Sequence, residues 1–215
     1  MAKDKVKKNK LVKAWVNQHL NDHYVHLAQK DGYRSRAAYK LLEIDEAHKI
    51  FDYVTRVVDL GCSPGSWSQV STKKVGSNGL VVGVDLLPTE PINGANLIQG
   101  DFTDNQILDI LVLALDGKEV DLVISDMAPN LSGIKNVDQA RQSLLVELVL
   151  DFAKNYLKFG GNCVIKVFNG SEFNKLMDEA RQLFNQVLVY KPNASRSKSS
   201  ETYLLCKGKK NPDVV

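Results

Sequence analysis

Acidic residues close several short apolar segments of this sequence, and their order along the chain suggests a nucleoside site. Asp59 begins the run D-L-G-C-S-P-G-S-W, whose Gly61 and Gly65 permit a tight turn and the close approach of a ligand. Asp85 follows that loop within a few residues of the spacing, about 20, at which an acid meets ribose hydroxyls. Asp101 closes the next apolar segment, where its carboxylate can accept a hydrogen bond from an adenine amino group. The loop and the two later acids point to a nucleoside ligand without demanding phosphate contacts.

Two further charged residues, Asp126 and Lys166, stand where a reaction could take place at one end of that ligand. Asp126 ends an apolar segment in S-D-M-A-P-N, so its carboxylate is expected beside the reactive end of the ligand. Lys166 lies inside V-I-K-V-F, a run typical of a buried strand, and lysine is rarely buried unless it is paired. It needs an acid close by, unless it snorkels from the strand end to solvent. Glu201 opens the last apolar segment, whereas the surroundings of Lys40, R-S-R-A-A-Y-K, favour a solvated helix face.

Other classes of ligand site have little support in the sequence. Neither G-x-G-x-x-G nor G-x-x-x-x-G-K-[ST] occurs, so the dinucleotide fingerprint and the loop of P-loop nucleotide hydrolases are both missing. His19, His23 and His26 have a spacing that could bind a metal ion, but no Cys or Glu ligand motif accompanies them. We therefore expect no metal site, and we expect the histidines to face solvent or nucleic acid.

The elements that must position these residues alternate between strands and helices. Hydrophobic patterning predicts strands over residues 56–60, 80–84, 96–99, 121–125, 162–168, 187–190 and 202–206. Such a pattern predicts a doubly wound α/β sheet, whose ligands bind beyond the carboxyl ends of the strands. Only the ten residues 191–200 separate the last two strands, too few for a parallel crossover, so this pair is expected to be antiparallel.

Local sequence signals predict four of the helices. Apolar spacing predicts a first helix over residues 11–29. Ser35 and Ser171 are expected to cap two further helices. A long helix over about 138–157 should stop at Gly160-Gly161, since glycine commonly ends a helix.

Length and composition are those of an ordinary globular protein. The 215 residues, 44% hydrophobic and 25% charged, suffice for a core that needs no disulfide or metal. No apolar run approaches the roughly 20 residues of a membrane helix, and no apolar stretch typical of a signal peptide follows the basic N-terminus. The three cysteines are far apart and odd in number, which suggests reduced thiols. These features predict a cytoplasmic protein that does not enter a membrane, and we expect a monomer.

Charge is unevenly distributed along the chain. Residues 1–40 have a net charge of +7, residues 41–190 of −8 and residues 191–215 of +4. Basic ends around an acidic middle are typical of a protein that binds a polyanion. Lysine-rich termini of soluble proteins without such a partner can look the same.

The motifs named above occur together, in this order, in one family. The segments that carry the resemblance are GYRSRAAYKL, DLGCSPGSWSQV, VDLLP, QGDF, DLVISDMAPNLSG, IKVFNG and SRSKSSETYLLCKGKK. Over roughly residues 11–210 the chain resembles the bacterial FtsJ/RrmJ (RlmE) ribosomal RNA 2′-O-ribose methyltransferases. The resemblance implies methylation of a uridine ribose in 23S rRNA of the large ribosomal subunit, with S-adenosylmethionine as cofactor.

The resemblance also implies a fold and a division of the chain. The fold is a Rossmann-like S-adenosylmethionine-dependent methyltransferase fold. Its seven-stranded sheet is mostly parallel, with the last strand antiparallel and helices on both faces. Residues 1–30 would form a basic tail and helix, residues 31–210 the methyltransferase domain, and residues 211–215 a tail.

Individual residues receive roles from the same resemblance. The cofactor-binding positions of the family fall on Gly65, Trp67, Asp85, Asp101 and Asp126. Its Lys-Asp-Lys-Glu tetrad falls on Lys40, Asp126, Lys166 and Glu201, with Lys166 as proton acceptor. In one departure, relatives read A-A-P-G-G-W where this chain has C-S-P-G-S-W. Ser66 thus replaces the second glycine, although serine resists positive φ.

The chemistry of methyl transfer gives Lys166 two possible roles. The ribose hydroxyl must be held in line with the methyl group and must lose its proton. A neutral lysine could accept that proton, but lysine is normally protonated at pH 7. Lys40 and partial burial favour the neutral form of Lys166, whereas Asp126 and Glu201 favour its charged form. Lys166 could therefore accept the proton, or orient the hydroxyl while the proton leaves late.

RNA binding is expected of basic residues on either side of the site, because basic patches bind phosphates. The candidates are Arg34, Arg36, Arg196 and Lys198. The sequence leaves two alternative functions open: methylation of another RNA, such as tRNA or an mRNA cap, and a non-catalytic RNA-binding or assembly role. The complete tetrad argues against the second.

Overall fold

The computed structural model describes residues 22–130, 132–196 and 199–211. In chain order the elements are α1 (His23–Asp31), α2 (Ala37–His48), β1 (Arg56–Leu60), α3 (Ser66–Val75), β2 (Leu80–Asp85), β3 (Ala95–Gln99), α4 (Asn105–Ala114), β4 (Val120–Ser125), α5 (Lys135–Tyr156), β5 (Leu157–Phe168), α6 (Phe173–Leu183), β6 (Phe184–Tyr190) and β7 (Glu201–Lys209).

The described strands form one sheet in the order β3-β2-β1-β4-β5-β7-β6. Strands β1 to β5 run parallel to one another, whereas β7 runs antiparallel to both β5 and β6. The order reverses between β1 and β4, and such a switch point opens a crevice at the carboxyl ends of the strands. The predicted α/β fold, its strand count and its antiparallel last strand are confirmed.

Central strands bury both of their faces, which explains their uninterrupted apolar runs. Val57 in β1 packs into a cluster with Ala38 of α2 and Trp67 of α3. Its neighbour Val58 packs on the opposite face, in a cluster that includes Leu111 of α4 and residues of α5 and α6. The expected helix layers on both faces are therefore present. No helix in the described part of the chain is long and apolar enough to cross a bilayer.

The first described helix begins later than predicted. Asp22 has extended backbone, and its side chain caps α1 by accepting a hydrogen bond from the backbone nitrogen of Tyr24 at 3.1 Å. A continuous helix over residues 11–29 is therefore wrong at Asp22, and residues 11–21 lie outside the described residues. The predicted break is confirmed, because Gly32 has a φ of 73° and ends the helix.

Two other boundaries differ from the sequence expectation. Helix α5 ends at Tyr156, and β5 begins at the next residue, so Gly160-Gly161 lies within the strand rather than at the helix end. The ladder with β4 shifts its register here, and Gly160 has a φ of 77°, which lets the extra residues bulge from the sheet.

The two predicted serine caps have different outcomes. The hydroxyl of Ser35 accepts a hydrogen bond from the backbone nitrogen of Ala37 at 3.2 Å, at the start of α2. Ser171 does not cap α6, which begins after Glu172 without a side-chain cap. The hydroxyl of Ser171 instead lies 3.3 Å from Oε1 of Gln139, because a partner on α5 is within its reach.

Candidate active site

Four charged side chains from four parts of the chain meet at the carboxyl edge of the sheet. The Nζ atom of Lys40 lies 2.9 Å from Oε1 of Glu201 and 3.7 Å from Oδ2 of Asp126. The Nζ atom of Lys166 lies 3.2 Å from Oδ1 of Asp126 and 3.9 Å from Oε2 of Glu201. Each ammonium thus faces both carboxylates. We call these four residues the tetrad.

Pairing explains how two lysines can be buried here, each with only 8% of its surface exposed. Lys166 does not snorkel to solvent, because its ammonium turns to the carboxylates and donates a 3.2 Å hydrogen bond to the backbone oxygen of Asp126. Lys40 was expected from its neighbours on a solvated helix face. That expectation is wrong, because its partner Glu201 is remote in sequence.

Strand direction explains how these residues come together. Lys166 is near the end of β5 and Asp126 directly follows β4, so both lie at the carboxyl edge. Glu201 is the first residue of β7, and the antiparallel register places it opposite Phe168 at the end of β5. Lys40 reaches the same point from the middle of α2, which packs on one face of the sheet.

The charges of the tetrad affect the pKa values of Glu201 and Tyr203 in opposite directions. Burial alone would raise the pKa of Glu201, but the ammonium groups of Lys40 and Lys166 together lower it. The buried hydroxyl of Tyr203 donates a 2.6 Å hydrogen bond to Oδ1 of Asp126. Burial, followed by the charges of Asp126 and Glu201, raises the pKa of Tyr203 well above its usual range, so this hydroxyl remains a donor.

The glycine-rich loop after β1 approaches the tetrad from the neighbouring strand. Gly65 has a φ of 107° and precedes α3. A Cβ atom there would lie 2.6 Å from Cδ1 of Ile92 and 2.7 Å from Nη1 of Arg34, so only glycine fits. Ser66 is the first residue of α3 and its φ is not positive, so the departure from the A-A-P-G-G-W pattern introduces no strain. Its hydroxyl lies 2.7 Å from that of Ser35.

Trp67 ties this loop to the helix that carries Lys40. Its ring is buried, and Nε1 donates a 2.8 Å hydrogen bond to the backbone oxygen of Ala37. The ring centroid lies 5.7 Å from that of Tyr203, which contacts Asp126. Trp67 therefore positions the start of α2 relative to the loop.

Asp85 is the last residue of β2 and Asp101 follows β3, so both lie at the same edge of the sheet as the tetrad. Asp85 shapes the glycine-rich loop by accepting a hydrogen bond from the backbone nitrogen of Ser63 at 2.9 Å. Asp101 is exposed, and its carboxylate accepts hydrogen bonds from the backbone and hydroxyl of Thr103 at 2.9 and 2.7 Å. Their roles toward a ribose and an adenine stay predictions.

The sequence analysis assigned no role to Asp59, but in the structure its carboxylate is buried beside this crevice. The carboxylate is 1% exposed, and Oδ2 accepts a 2.7 Å hydrogen bond from the hydroxyl of Ser68. Oδ1 is buried and has no partner within the described part of the chain. Burial, opposed by Ser68 and reinforced by Asp126 and Asp85, raises the pKa of Asp59 to about 7. Its position one residue before the end of β1 is the sequence signal for this role.

A small cavity of about 50 Å³ connects Asp59 with the tetrad. Gly61, Ser63, Trp67 and Asp126 are among the residues that line it. The two carboxylates of this lining, Asp59 and Asp126, the unpaired acceptor of Asp59 and the glycine backbone suit an amino group and a positive charge on a bound ligand.

Arg34, expected to bind RNA, instead contacts the segments around the glycine-rich loop. Its guanidinium donates hydrogen bonds to the backbone oxygens of Pro64, Glu90 and Pro91 at 2.8, 2.7 and 2.9 Å. Its backbone nitrogen donates to Oε1 of Gln69 on α3 at 2.9 Å. Three of the five N–H donors of the guanidinium are used in these contacts, so Arg34 braces the loop.

The other basic candidates lie beside the tetrad. A cleft of about 500 Å³ is lined by Arg36 and Arg196 together with Lys40 and Glu201. The guanidinium of Arg36 also contacts the carboxylate of Asp22 and the backbone oxygen of Ala194. Burial, followed by the charge of Arg196, lowers the pKa of Arg36. Lys198 lies outside the described residues.

The histidines offer no metal site where the structure describes them. His23 and His26 are exposed on α1, and His19 lies outside the described residues. No group of three His, Cys, Asp or Glu side chains in residues 22–130, 132–196 and 199–211 could hold a metal ion.

Comparison with known proteins identifies the class to which this fold and site belong. A family model described as FtsJ-like methyltransferase matches residues 33–209, and the chain belongs to that family. Ribosomal RNA large subunit methyltransferase E of Neisseria gonorrhoeae (strain NCCP11945) is 53% identical over 203 residues, which cover 94% of this chain and 98% of that relative. The protein of the same name from Chromobacterium violaceum is 52% identical over 196 residues, covering 91% and 96%.

Solved structures support the same fold. A crystal structure described as a ribosomal RNA methyltransferase of Plasmodium falciparum has a TM-score of 0.72 and 31% identity, covering 82% of this chain and 98% of that one. Fibrillarin of Aeropyrum pernix, solved with S-adenosyl-L-methionine, has a TM-score of 0.55 and 18% identity, covering 81% and 75%. The fold is that of the S-adenosylmethionine-dependent methyltransferases, as the resemblance implied.

Proposed function

We propose that this protein methylates the 2′-hydroxyl of a uridine ribose in 23S rRNA of the large ribosomal subunit, with S-adenosylmethionine as cofactor. The tetrad carries the proposal, because two buried lysines alternate with two carboxylates beside the cofactor crevice. Relatives that are more than half identical are named ribosomal RNA large subunit methyltransferase E. As those names suggest, the partner is the RNA of the large subunit. We place the enzyme in the cytoplasm as a monomer that needs no metal.

The cofactor site consists of the crevice around the glycine-rich loop. The unpaired oxygen of Asp59 suits the amino group of S-adenosylmethionine, and the nearby carboxylates suit its positive charge. Asp85 is assigned to the ribose hydroxyls and Asp101 to the adenine amino group. Gly65 allows close approach of the backbone, and Trp67 holds the loop against α2. S-adenosylmethionine supplies an electrophilic methyl group.

The tetrad is assigned to the ribose hydroxyl. Lys166 is the proposed proton acceptor. Lys40 contacts the same two carboxylates as Lys166, so it is assigned to hold them in position. Asp126 lies at the junction of the cofactor crevice and the tetrad, so it orients both lysines and borders the methyl group. Glu201 holds the ammonium of Lys40 in place.

RNA is assigned to the cleft that Arg36 and Arg196 line beside Lys40 and Glu201. Cationic side chains on the rim of a reactive site bind phosphates and hold the ribose in register. Lys198 belongs to the same segment as Arg196 in sequence, and we include it in this surface. Arg34 is assigned to the cofactor loop instead, because its guanidinium is engaged by three backbone oxygens.

Mapping 2′-O-methyl groups in total RNA from a deletion strain tests the proposal. We expect one uridine of 23S rRNA to lose its methyl group, and we expect the purified protein to restore it on large subunits from that strain. Loss of a methyl group from tRNA alone would move the function to another RNA. Full retention of every 2′-O-methyl group would favour a non-catalytic role.

A further inference from the structure

A second cavity borders the tetrad on the side opposite the arginine-lined cleft. Its volume is about 250 Å³. The walls come from α5, from the segment that follows β5, from the start of α6 and from the residue before β7. Its lining includes Gln142, Ser143, Phe168, Asn169 and Phe173.

One polar side chain of this cavity has an unsatisfied acceptor. Gln142 on α5 is 4% exposed, and its Nε2 donates a 3.0 Å hydrogen bond to the backbone oxygen of Lys166. This bond fixes the orientation of the amide, so Oε1 cannot exchange places with Nε2. Oε1 is buried and has no hydrogen-bond partner in residues 22–130, 132–196 and 199–211. A buried acceptor of this kind costs free energy unless a ligand donates to it.

The cavity lies next to the reactive groups, because residues of its wall are neighbours of the tetrad. The Nζ atom of Lys166 lies 5.9 Å from the ring centroid of Phe168, which also forms part of the cavity wall. Phe168 pairs with Glu201 across the sheet, and Ser200 at the cavity edge directly precedes Glu201. Only a short distance therefore separates the cavity from the tetrad. A ligand with one part in the cavity could place a neighbouring part at the tetrad.

The two spaces beside the tetrad differ in chemistry. The cleft on the α2 side presents the guanidinium groups of Arg36 and Arg196, which suit phosphates. The cavity on the α5 side presents aromatic rings, amides and hydroxyls together with the carboxylates of Asp138 and Glu172, and no basic side chain is among the residues that line it. A nucleotide whose ribose lies at the tetrad must also bind through its phosphates and its base. The arginine-lined cleft suits the phosphates, and the cavity on the α5 side suits the base.

We propose that the cavity receives the uracil base of the target nucleotide, and that Gln142 reads it; this assignment rests on the proposed function. The N3–H group of uracil donates to Oε1 of Gln142. The carbonyl oxygens of the base accept from the side chains of Asn169 and Ser143, while its flat face packs on Phe168. A base leaves its stack to enter such a cavity, as in other enzymes that act on a single nucleotide.

Cytidine at the target position provides the sharpest test. Its N3 atom is an acceptor, so it would face Oε1 of Gln142 with no proton between them. We would prepare unmethylated large subunits with uridine or cytidine at the mapped position and measure single-turnover transfer at saturating cofactor. The wild-type rate should be about tenfold or more lower on cytidine, because a buried acceptor would remain unpaired.

Three variants separate base reading from other roles. Gln142→Leu should bring the uridine-to-cytidine rate ratio close to one, whereas Phe168→Leu should slow transfer to both substrates and weaken their binding. Gln182 is exposed on α6, so Gln182→Leu is the matched control and should leave the uridine-to-cytidine rate ratio unchanged.

Each possible result has a defined meaning. A wild-type enzyme that transfers equally well to both bases would overturn the assignment, whatever the variants do. An equal loss on both bases in Gln142→Leu would also overturn it, because Gln142 would then act only by supporting Lys166. No transfer by the wild type to either substrate would refute the proposed function itself, which is a separate result.

Discussion

The hydroxyl of Tyr203 on β7 donates a 2.6 Å hydrogen bond to Oδ1 of Asp126, which directly follows β4. The same carboxylate group faces Lys166 at 3.2 Å and Lys40 at 3.7 Å. Three donors therefore determine the orientation of Asp126, and one of them comes from the last strand. The tetrad and the cofactor crevice share this carboxylate, so their geometries depend on each other.

Replacing Lys166 tests its role as proton acceptor. We expect Lys166→Ala to keep the fold and cofactor binding but to lose about 100-fold or more in single-turnover methyl transfer. Lys166→Arg should fail as well, because arginine does not release its proton near neutral pH and its planar fork fits the site poorly. Lys175→Ala, which removes an exposed lysine paired with Glu147, is the matched control. Transfer by Lys166→Ala near the wild-type rate would make Lys166 a structural lysine.

The two tetrad carboxylates should differ in importance. Asp126→Ala is expected to lose methyl transfer and to weaken cofactor binding, because it borders both sites. Glu201→Ala should be milder, since its closest partner is Lys40 at 2.9 Å and its distance to Lys166 is 3.9 Å. Calorimetry with the cofactor and single-turnover rates measure the two effects. A Glu201→Ala variant less active than Asp126→Ala would contradict this order.

Arg34 should affect the cofactor and not the RNA. Arg34→Lys keeps the charge but loses the planar fork that reaches three carbonyl oxygens, so cofactor affinity should fall by about tenfold. RNA affinity should change little, because the guanidinium binds the backbone of the loop rather than a phosphate. Cofactor titration and RNA filter binding on one preparation check both parts. Weaker RNA binding with unchanged cofactor affinity would return Arg34 to the RNA surface.

Arg196 should show the opposite behaviour. Arg196→Ala removes a guanidinium from the cleft beside Glu201 and should weaken RNA binding at low salt. The slope of log affinity against log salt concentration should become shallower by about one unit if one phosphate contact is lost. Cofactor affinity should stay the same. Arg181→Ala, on the exposed side of α6, is a suitable control. Identical salt slopes for the Arg196 variant and the wild type would remove Arg196 from the RNA surface.

The buried carboxyl of Asp59 predicts a pH dependence of stability. Its pKa rises from 3.8 to about 7 on folding, chiefly because of burial. The folded state therefore binds more protons than the unfolded state between these pH values. Without cofactor, the free energy of unfolding contains a contribution that is complete below about pH 4 and is lost as pH rises through 7.

Asp59→Asn cannot titrate, so its stability relative to the wild type should increase by up to about 4 kcal/mol between pH 4 and pH 8. Urea unfolding at several pH values measures this difference. Asp109→Asn, exposed on α4, should follow the wild type throughout. A constant difference between Asp59→Asn and the wild type over that range would show that Asp59 titrates normally.

The sequence predicts the sheet well, because its central strands are buried on both faces. The predicted strands 56–60 and 121–125 are mainly apolar and match β1 and β4 within one residue. The start of β5 is missed, because Gly160-Gly161 resembles a helix end and only the ladder with β4 reveals the bulge. Local patterns cannot report a pairing partner that lies elsewhere in the chain.

The same limit applies to the site. The acids at strand ends are predictable, since strand direction alone places them at one edge. Lys40 and Arg34 are not predictable from local spacing, because their partners lie far away in sequence. Lys40 is recovered by the family resemblance, whereas the bracing role of Arg34 emerges only from the folded chain. Asp59 has a visible position near the end of β1, but its unpaired oxygen depends on packing by α3.

The position of β7 between β5 and β6 has a consequence for biosynthesis. Until this strand has been translated, β5 and β6 lack their common partner, and Tyr203 and Glu201 are missing from the site. A nascent chain therefore cannot carry a complete tetrad before translation has passed β7. Chains that end before β7 would therefore lack Glu201 and Tyr203, and they should bring no methylation activity to the RNA around them.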